Sequence, residues 1–137
     1  MTKTKLFLIA VITALSGCVL SSCGGVDHSN PRSVADTALE CYDMGDYAKL
    51  KTLISPSNEY LLEQCDKLIE ISKETSERYP DKVYEKKERT FKSAADDLTG
   101  GELTDDSKSA DVRYDGVYPT RVILERVDGK WYFERFK

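Results

Sequence analysis

Apolar residues recur at helical spacing from Val34 to Ile69 and, beyond Tyr79-Pro80, alternate with polar ones to the end of the chain. A period near 3.6 followed by a period of 2 calls for helices first and a sheet afterwards, an α+β arrangement. Asn30 is a good N-cap and Pro31 suits a first helical position, which predicts a helix from Pro31 to Met44 with Val34, Ala35, Ala38, Leu39, Cys41 and Tyr42 inward. Gly45 stops it. Asp46 can cap a second short helix carrying Tyr47, Leu50, Leu53 and Ile54 up to Ser55-Pro56, and a third helix, Pro56 to Arg78, sets Leu61, Leu62, Cys65, Leu68 and Ile69 on one face.

The second half reads as four antiparallel strands. Val83 to Ala95 mixes Tyr84, Phe91 and Ala94 with lysine and glutamate and predicts a half-exposed strand. Ala110, Val112 and Tyr114 alternate with polar residues. Val122-Ile123-Leu124 is the most apolar strand centre, and Trp131-Tyr132-Phe133 with Phe136 ends the chain in aromatics. Gly100-Gly101 marks a loop, Asp115-Gly116 a turn, and Asp128-Gly129 a two-residue hairpin.

The front of the chain belongs to neither pattern. Lys3 and Lys5 precede an apolar run from Leu6 that ends in small residues and Leu20-Ser21-Ser22-Cys23, the layout of a secretory signal rather than a membrane span. The order Leu-Ser-Ser-Cys resembles the lipobox of bacterial lipoproteins, and that resemblance implies a signal peptide over 1–22 and an acylated Cys23 as the mature N-terminus. Leu15-Ser16-Gly17-Cys18 fits the same pattern, so Cys18 is the alternative. Cleavage there would leave apolar Val19 and Leu20 in the tail, whereas cleavage at Cys23 leaves a polar linker over residues 23–30. The folded domain is then expected over residues 31–137.

Cutting before Cys23 leaves 115 residues, enough for one core, and removing Lys3 and Lys5 takes the formal net charge from −4 to −6. A chain this acidic lacks the electrostatic footprint of nucleic-acid binding, and anionic headgroups repel it. Attachment must come from acyl chains, at about 0.8 kcal/mol per buried CH₂. Gly24 replaces the aspartate that retains family members in an inner membrane, so the resemblance implies an outer membrane, on its periplasmic face.

Asp43-Met-Gly-Asp-Tyr-Ala-Lys-Leu after a first helix, followed by Leu53-Ile-Ser-Pro, resembles the opening of small secreted domains with the nuclear transport factor 2-like (cystatin-like) fold. The closing Val122-Ile-Leu-Glu-Arg-Val-Asp-Gly-Lys-Trp-Tyr-Phe is similar to that family's last hairpin. The resemblance spans about Asn30 to Lys137 and implies a curved sheet wrapped on helices around a conical cavity. It is nearly silent on activity, because the fold hosts enzymes, binding modules and scaffolds alike.

No catalytic constellation emerges. His28, the single histidine, sits in the linker between Asp27 and Ser29 and reads as solvated. With no clustered cysteines either, neither a metal nor another cofactor is expected. The strand-borne acids Glu88, Asp96, Asp97, Asp111, Asp115, Glu125 and Glu134 read as a solvated face, as does the mixed run Glu85-Lys-Lys-Glu-Arg. Tyr84, Phe91, Tyr114, Trp131 and Phe133 are candidates to line a pocket, with core packing the blander reading. Cys41 and Cys65 are candidates for a disulfide in an oxidising compartment and equally for two buried free thiols. The expected function is that of a non-enzymatic envelope lipoprotein binding a partner protein or small ligand through its curved sheet. Alternatives are a cone-pocket enzyme working by a carboxylate and a tyrosine, and an immunity or inhibitor lipoprotein.

Overall fold

In the computed structural model, residues 26–96 and 101–137 are described. The signal segment, Cys18, Cys23 and Asp97 lie outside them. Helix α1 (Pro31–Met44) starts where its cap predicts, with the Asn30 side chain accepting from the Arg32 N–H at 3.0 Å. It ends at Gly45, whose φ of 66° is left-handed and whose N–H turns back to the Cys41 and Tyr42 carbonyls. A Cβ at Gly45 would lie 2.7 Å from Tyr84 Cε1. Gly45→Ala is therefore expected to lose about 1–2 kcal/mol from backbone handedness alone, plus the clash with the Tyr84 ring. Urea denaturation checks this, and an unchanged midpoint would refute it.

Helix α2 (Tyr47–Lys51) is capped by Asp46, which accepts from the Lys49 N–H at 3.1 Å. It is shorter than its apolar spacing predicts. Leu53 and Ile54 are buried without being helical, and the Leu53 carbonyl accepts from the Phe133 N–H in the sheet at 2.7 Å. Helix α3 (Glu59–Arg78) starts three residues after the expected Pro56, because the Asn58 side chain caps it through the Leu61 N–H at 3.1 Å. At 20 residues it runs about 30 Å. Only Cys65 is fully buried on it, and Leu68, expected inward, is 41 % exposed.

Strands β1 (Thr90–Ala95), β2 (Ser109–Asp115), β3 (Arg121–Val127) and β4 (Lys130–Phe136) form one antiparallel sheet in chain order. The inner face carries Ala110, Val112, Tyr114, Val122, Leu124, Trp131 and Phe133, which close a single core with Val34, Ala35, Ala38, Leu39, Leu50 and Leu53. The class is thus α+β, as the change of period requires. Asp128 and Gly129 have φ of 51° and 77°, both positive, as the two-residue turn between β3 and β4 demands.

Two further expectations fail. The strand expected from Val83 begins only at Thr90, whose partner Asp115 is the last residue of β2 before Gly116 turns the chain away. Residues 83–89 thus have no strand to pair with. His28 is half-buried rather than solvated: the Trp131 N–H donates to its carbonyl at 2.7 Å, and its Nδ1 lies 2.7 Å from the Trp131 carbonyl. Strand β4 is a sheet edge with open backbone groups; His28 partners Trp131 there, and the Leu53 carbonyl partners Phe133. Val26 packs on the core beside it.

Candidate functional site

The side of α1 that carries Arg32, Asp36, Glu40 and Asp43 faces the unpaired segment before β1, and between them lies a cleft of about 600 Å³. Phe91 of β1 and Tyr114 of β2, opposite each other in register, form its aromatic floor with ring centroids 6.1 Å apart. The Arg32 guanidinium lies 4.1 Å over the Phe91 ring and 3.6 Å from Asp36. The Tyr114 hydroxyl donates to Asp36 Oδ1. Burial first, then that hydrogen bond and the Asp36 charge, push the Tyr114 phenol above its usual range. It therefore stays protonated and acts as a donor.

Asp43 and Arg89 close the cleft's far end. Their side chains are 3 % and 5 % exposed, with Arg89 Nη2 and Nε at 2.6 and 3.3 Å from the carboxylate and the Lys87 N–H at 3.0 Å. The remaining guanidinium nitrogen donates to the Val117 and Pro119 carbonyls, so a single side chain ties α1, the segment before β1 and the β2–β3 loop together. Lys86 reaches Glu40 at 3.5 Å. All three acids along this wall thus face a cation on the other side or on their own helix. The groove is polar at its rim and carries no large net field.

Of the five aromatics that the sequence offers as pocket lining, the structure brings together Phe91 and Tyr114. Tyr84 packs against Gly45 with Lys82 Nζ 5.0 Å from its ring centroid, Trp131 is in the core beneath Arg126, and Phe133 stacks on Phe136 at 4.6 Å. Among the strand acids, Glu88 lines the cleft, Asp115 pairs loosely with Lys92 at 3.9 Å, and Glu125 accepts from Asn58 at 3.4 Å. The run Glu85-Lys-Lys-Glu-Arg is only partly solvated, since Arg89 is buried. Arg32, Asp36 and Asp43 are not distinctive in the sequence, because charges on the flank of an amphipathic helix look like solvated face. Their spacing along one side of α1 was the available signal.

Asp111 is another departure from a solvated face. It projects from the outer side of the sheet yet is 1 % exposed, covered by Arg113 Nη2 at 2.8 Å and by Arg121 through Nε at 3.0 Å and Nη2 at 2.7 Å. Burial by itself raises its pKa, but the bonds and charge of Arg121 and Arg113 outweigh that and hold it below the usual carboxylate range. A carboxylate with a depressed folded-state pKa contributes stability that is fully present above its unfolded pKa of 3.8 and is lost as pH falls through the lower folded value. Asp111→Asn is therefore expected to flatten the stability profile below about pH 4, as acid titration followed by circular dichroism would show. A profile parallel to the parent's would contradict this.

Cys41 and Cys65 are separate, buried free thiols in the structure. Burial pushes the Cys41 thiol up to about 11, and Cys65 Sγ donates to the Tyr47 carbonyl at 3.3 Å. Neither thiol is primed as a nucleophile. Among the described residues no group of three or more His, Cys, Asp or Glu converges on a metal-sized site, and no helix is long and apolar enough to cross a membrane.

No family model, curated protein or solved structure matches the chain.

Proposed function

We propose that the chain is a lipid-anchored cell-envelope protein that binds a small ligand in the cleft between α1 and β1 and does not catalyse a reaction. In this reading 1–22 is the signal peptide, Cys23 is acylated, and the domain is a nuclear transport factor 2-like cone whose mouth is the cleft. The lipobox Leu20-Ser-Ser-Cys supports the anchor, and an outer membrane is its expected site. The observation that carries ligand binding is the floor of Phe91 and Tyr114 under a hydrogen-bonding rim, in a volume suited to a small molecule. A planar or apolar body would lie on Phe91, with a polar group directed to Arg32 and Asp36. Fragments of that kind, titrated into isotope-labelled protein, should shift the amide signals of Arg32, Phe91 and Tyr114 together and cease to do so in Phe91→Ala. Shifts confined to other regions would refute the assignment.

The Tyr114–Asp36 hydrogen bond favours one rival, a cleft enzyme in which Asp36 accepts a proton while Tyr114 donates a hydrogen bond. The side chain of Asp36 is 51 % exposed and so open to water. Turnover by purified protein that is abolished by Asp36→Asn would establish the rival and reverse the order of the two readings.

A further inference from the structure

The ends of the domain differ in chemistry. At one end His28 docks on Trp131, the second residue of β4. At the other end, six residues and about 20 Å further along the strand, the Lys137 backbone exchanges hydrogen bonds with Arg121, and the Thr120 N–H donates to the Lys137 carbonyl. The β2–β3 loop at this end exposes Val117 at 54 % and Tyr118 at 65 %, and Met44 at the end of α1 is 42 % exposed. Val117 and Tyr118, neighbours on one loop, give this end an exposed apolar contact point.

This surface is held rather than floppy. Arg89 fixes the Val117 and Pro119 carbonyls from below, and the Tyr118 ring stands edge-on to Tyr42 at 6.3 Å. Beside it the sheet's outer face turns basic. Arg113 and Arg121 are cross-strand partners, and Arg135 follows in the next row as the partner of Ile123. Asp111 grips Arg121 side-on through Nε and Nη2, which fixes the guanidinium plane. Of the acids here, Asp111 is held by both arginines, and Asp115 lies 3.9 Å from Lys92. An acidic chain has thus collected cations and exposed tyrosine at one place, the side-chain types that dominate protein interfaces.

We propose that this end, centred on Tyr118, Arg121 and Arg135, docks an acidic segment of a partner protein: carboxylates meet the arginines, and an apolar side chain lies on Val117 and Tyr118. Charge complementarity selects an anionic occupant, and the apolar loop selects a peptide over a bare anion. A lipid surface is disfavoured because His28, close in sequence to the proposed anchor, docks at the opposite end. The surface is distinct from the cleft and needs no ligand there.

The test uses the acylated protein in nanodiscs of neutral lipid and a fluorescent synthetic peptide alternating glutamate and tyrosine, read by anisotropy. Its glutamine–tyrosine counterpart should bind at least about tenfold more weakly, and Arg135→Gln and Tyr118→Ala, both exposed and expected to fold normally, should each weaken the glutamate peptide several-fold. Arg121→Gln should do the same where circular dichroism shows it folded. Equal binding of the two peptides, absence of saturable binding, or no change in both exposed variants would overturn the proposal. Displacement of the peptide by added vesicles of anionic lipid would also overturn it, in favour of a lipid-docking face. The assay runs equally well on protein that proves unacylated, so its failure is separate from failure of the anchor.

Discussion

Arg89→Ala is expected to destabilise the domain by about 3–5 kcal/mol, the usual consequence of stripping one partner from a buried ion pair. The Asp43 carboxylate, 3 % exposed beside Arg89, would keep the Lys87 N–H as its main partner, and the Val117 and Pro119 carbonyls would lose their donor. Replacing both partners by apolar residues, Asp43→Leu with Arg89→Met, removes the uncompensated charge and should recover a large part of the loss. Recovery stays partial because the loop carbonyls remain unpaired. Urea denaturation of the single and double variants measures this. A double variant no better than Arg89→Ala would show that the loop bonds, and not the ion pair, dominate.

The second large effect belongs to Trp131. It is 3 % exposed, packs in the core with Leu124 and Phe133 nearby in register, and carries the backbone pairing with His28. Trp131→Ala should lose about 3–5 kcal/mol through the cavity it leaves, while Trp131→Phe should lose markedly less. It is the only tryptophan, so unfolding has to be followed by circular dichroism instead of indole fluorescence. If both variants unfolded at the parent's denaturant concentration, this side of the core would be looser than the packing indicates.

The elements that could be read from the sequence are those whose signal is local. Asn30-Pro31 and Gly45 delimit α1 because capping and left-handed backbone are properties of single positions. Asp128-Gly129 defines its hairpin for the same reason. The first strand was misjudged because strand formation needs a partner, and nothing in Val83 to Arg89 announces that β2 stops at Asp115. The docking of His28 was invisible too, since the open edge it covers lies about a hundred residues away in the chain. In the cleft, Phe91 and Tyr114 stood out as aromatics, whereas Asp36, Asp43 and Arg89 did not. A charge on a helix flank declares its role only once the chain that crosses it is in place.

The docking of His28 bears on the proposed attachment. Val26 already packs on the core, which leaves three residue steps, about 10 Å of extended chain, between an acylated Cys23 and the folded body. Under the proposed anchor, a domain held that closely would have its β3–β4 end towards the bilayer and the Tyr118 end away from it. The most direct test is mass spectrometry of the N-terminal peptide from protein extracted from native membranes. The account predicts a peptide beginning at Cys23 that carries a thioether-linked diacylglycerol, absent from the Cys23→Ser protein. An unmodified N-terminus, or one retaining residues before Cys18, would contradict it.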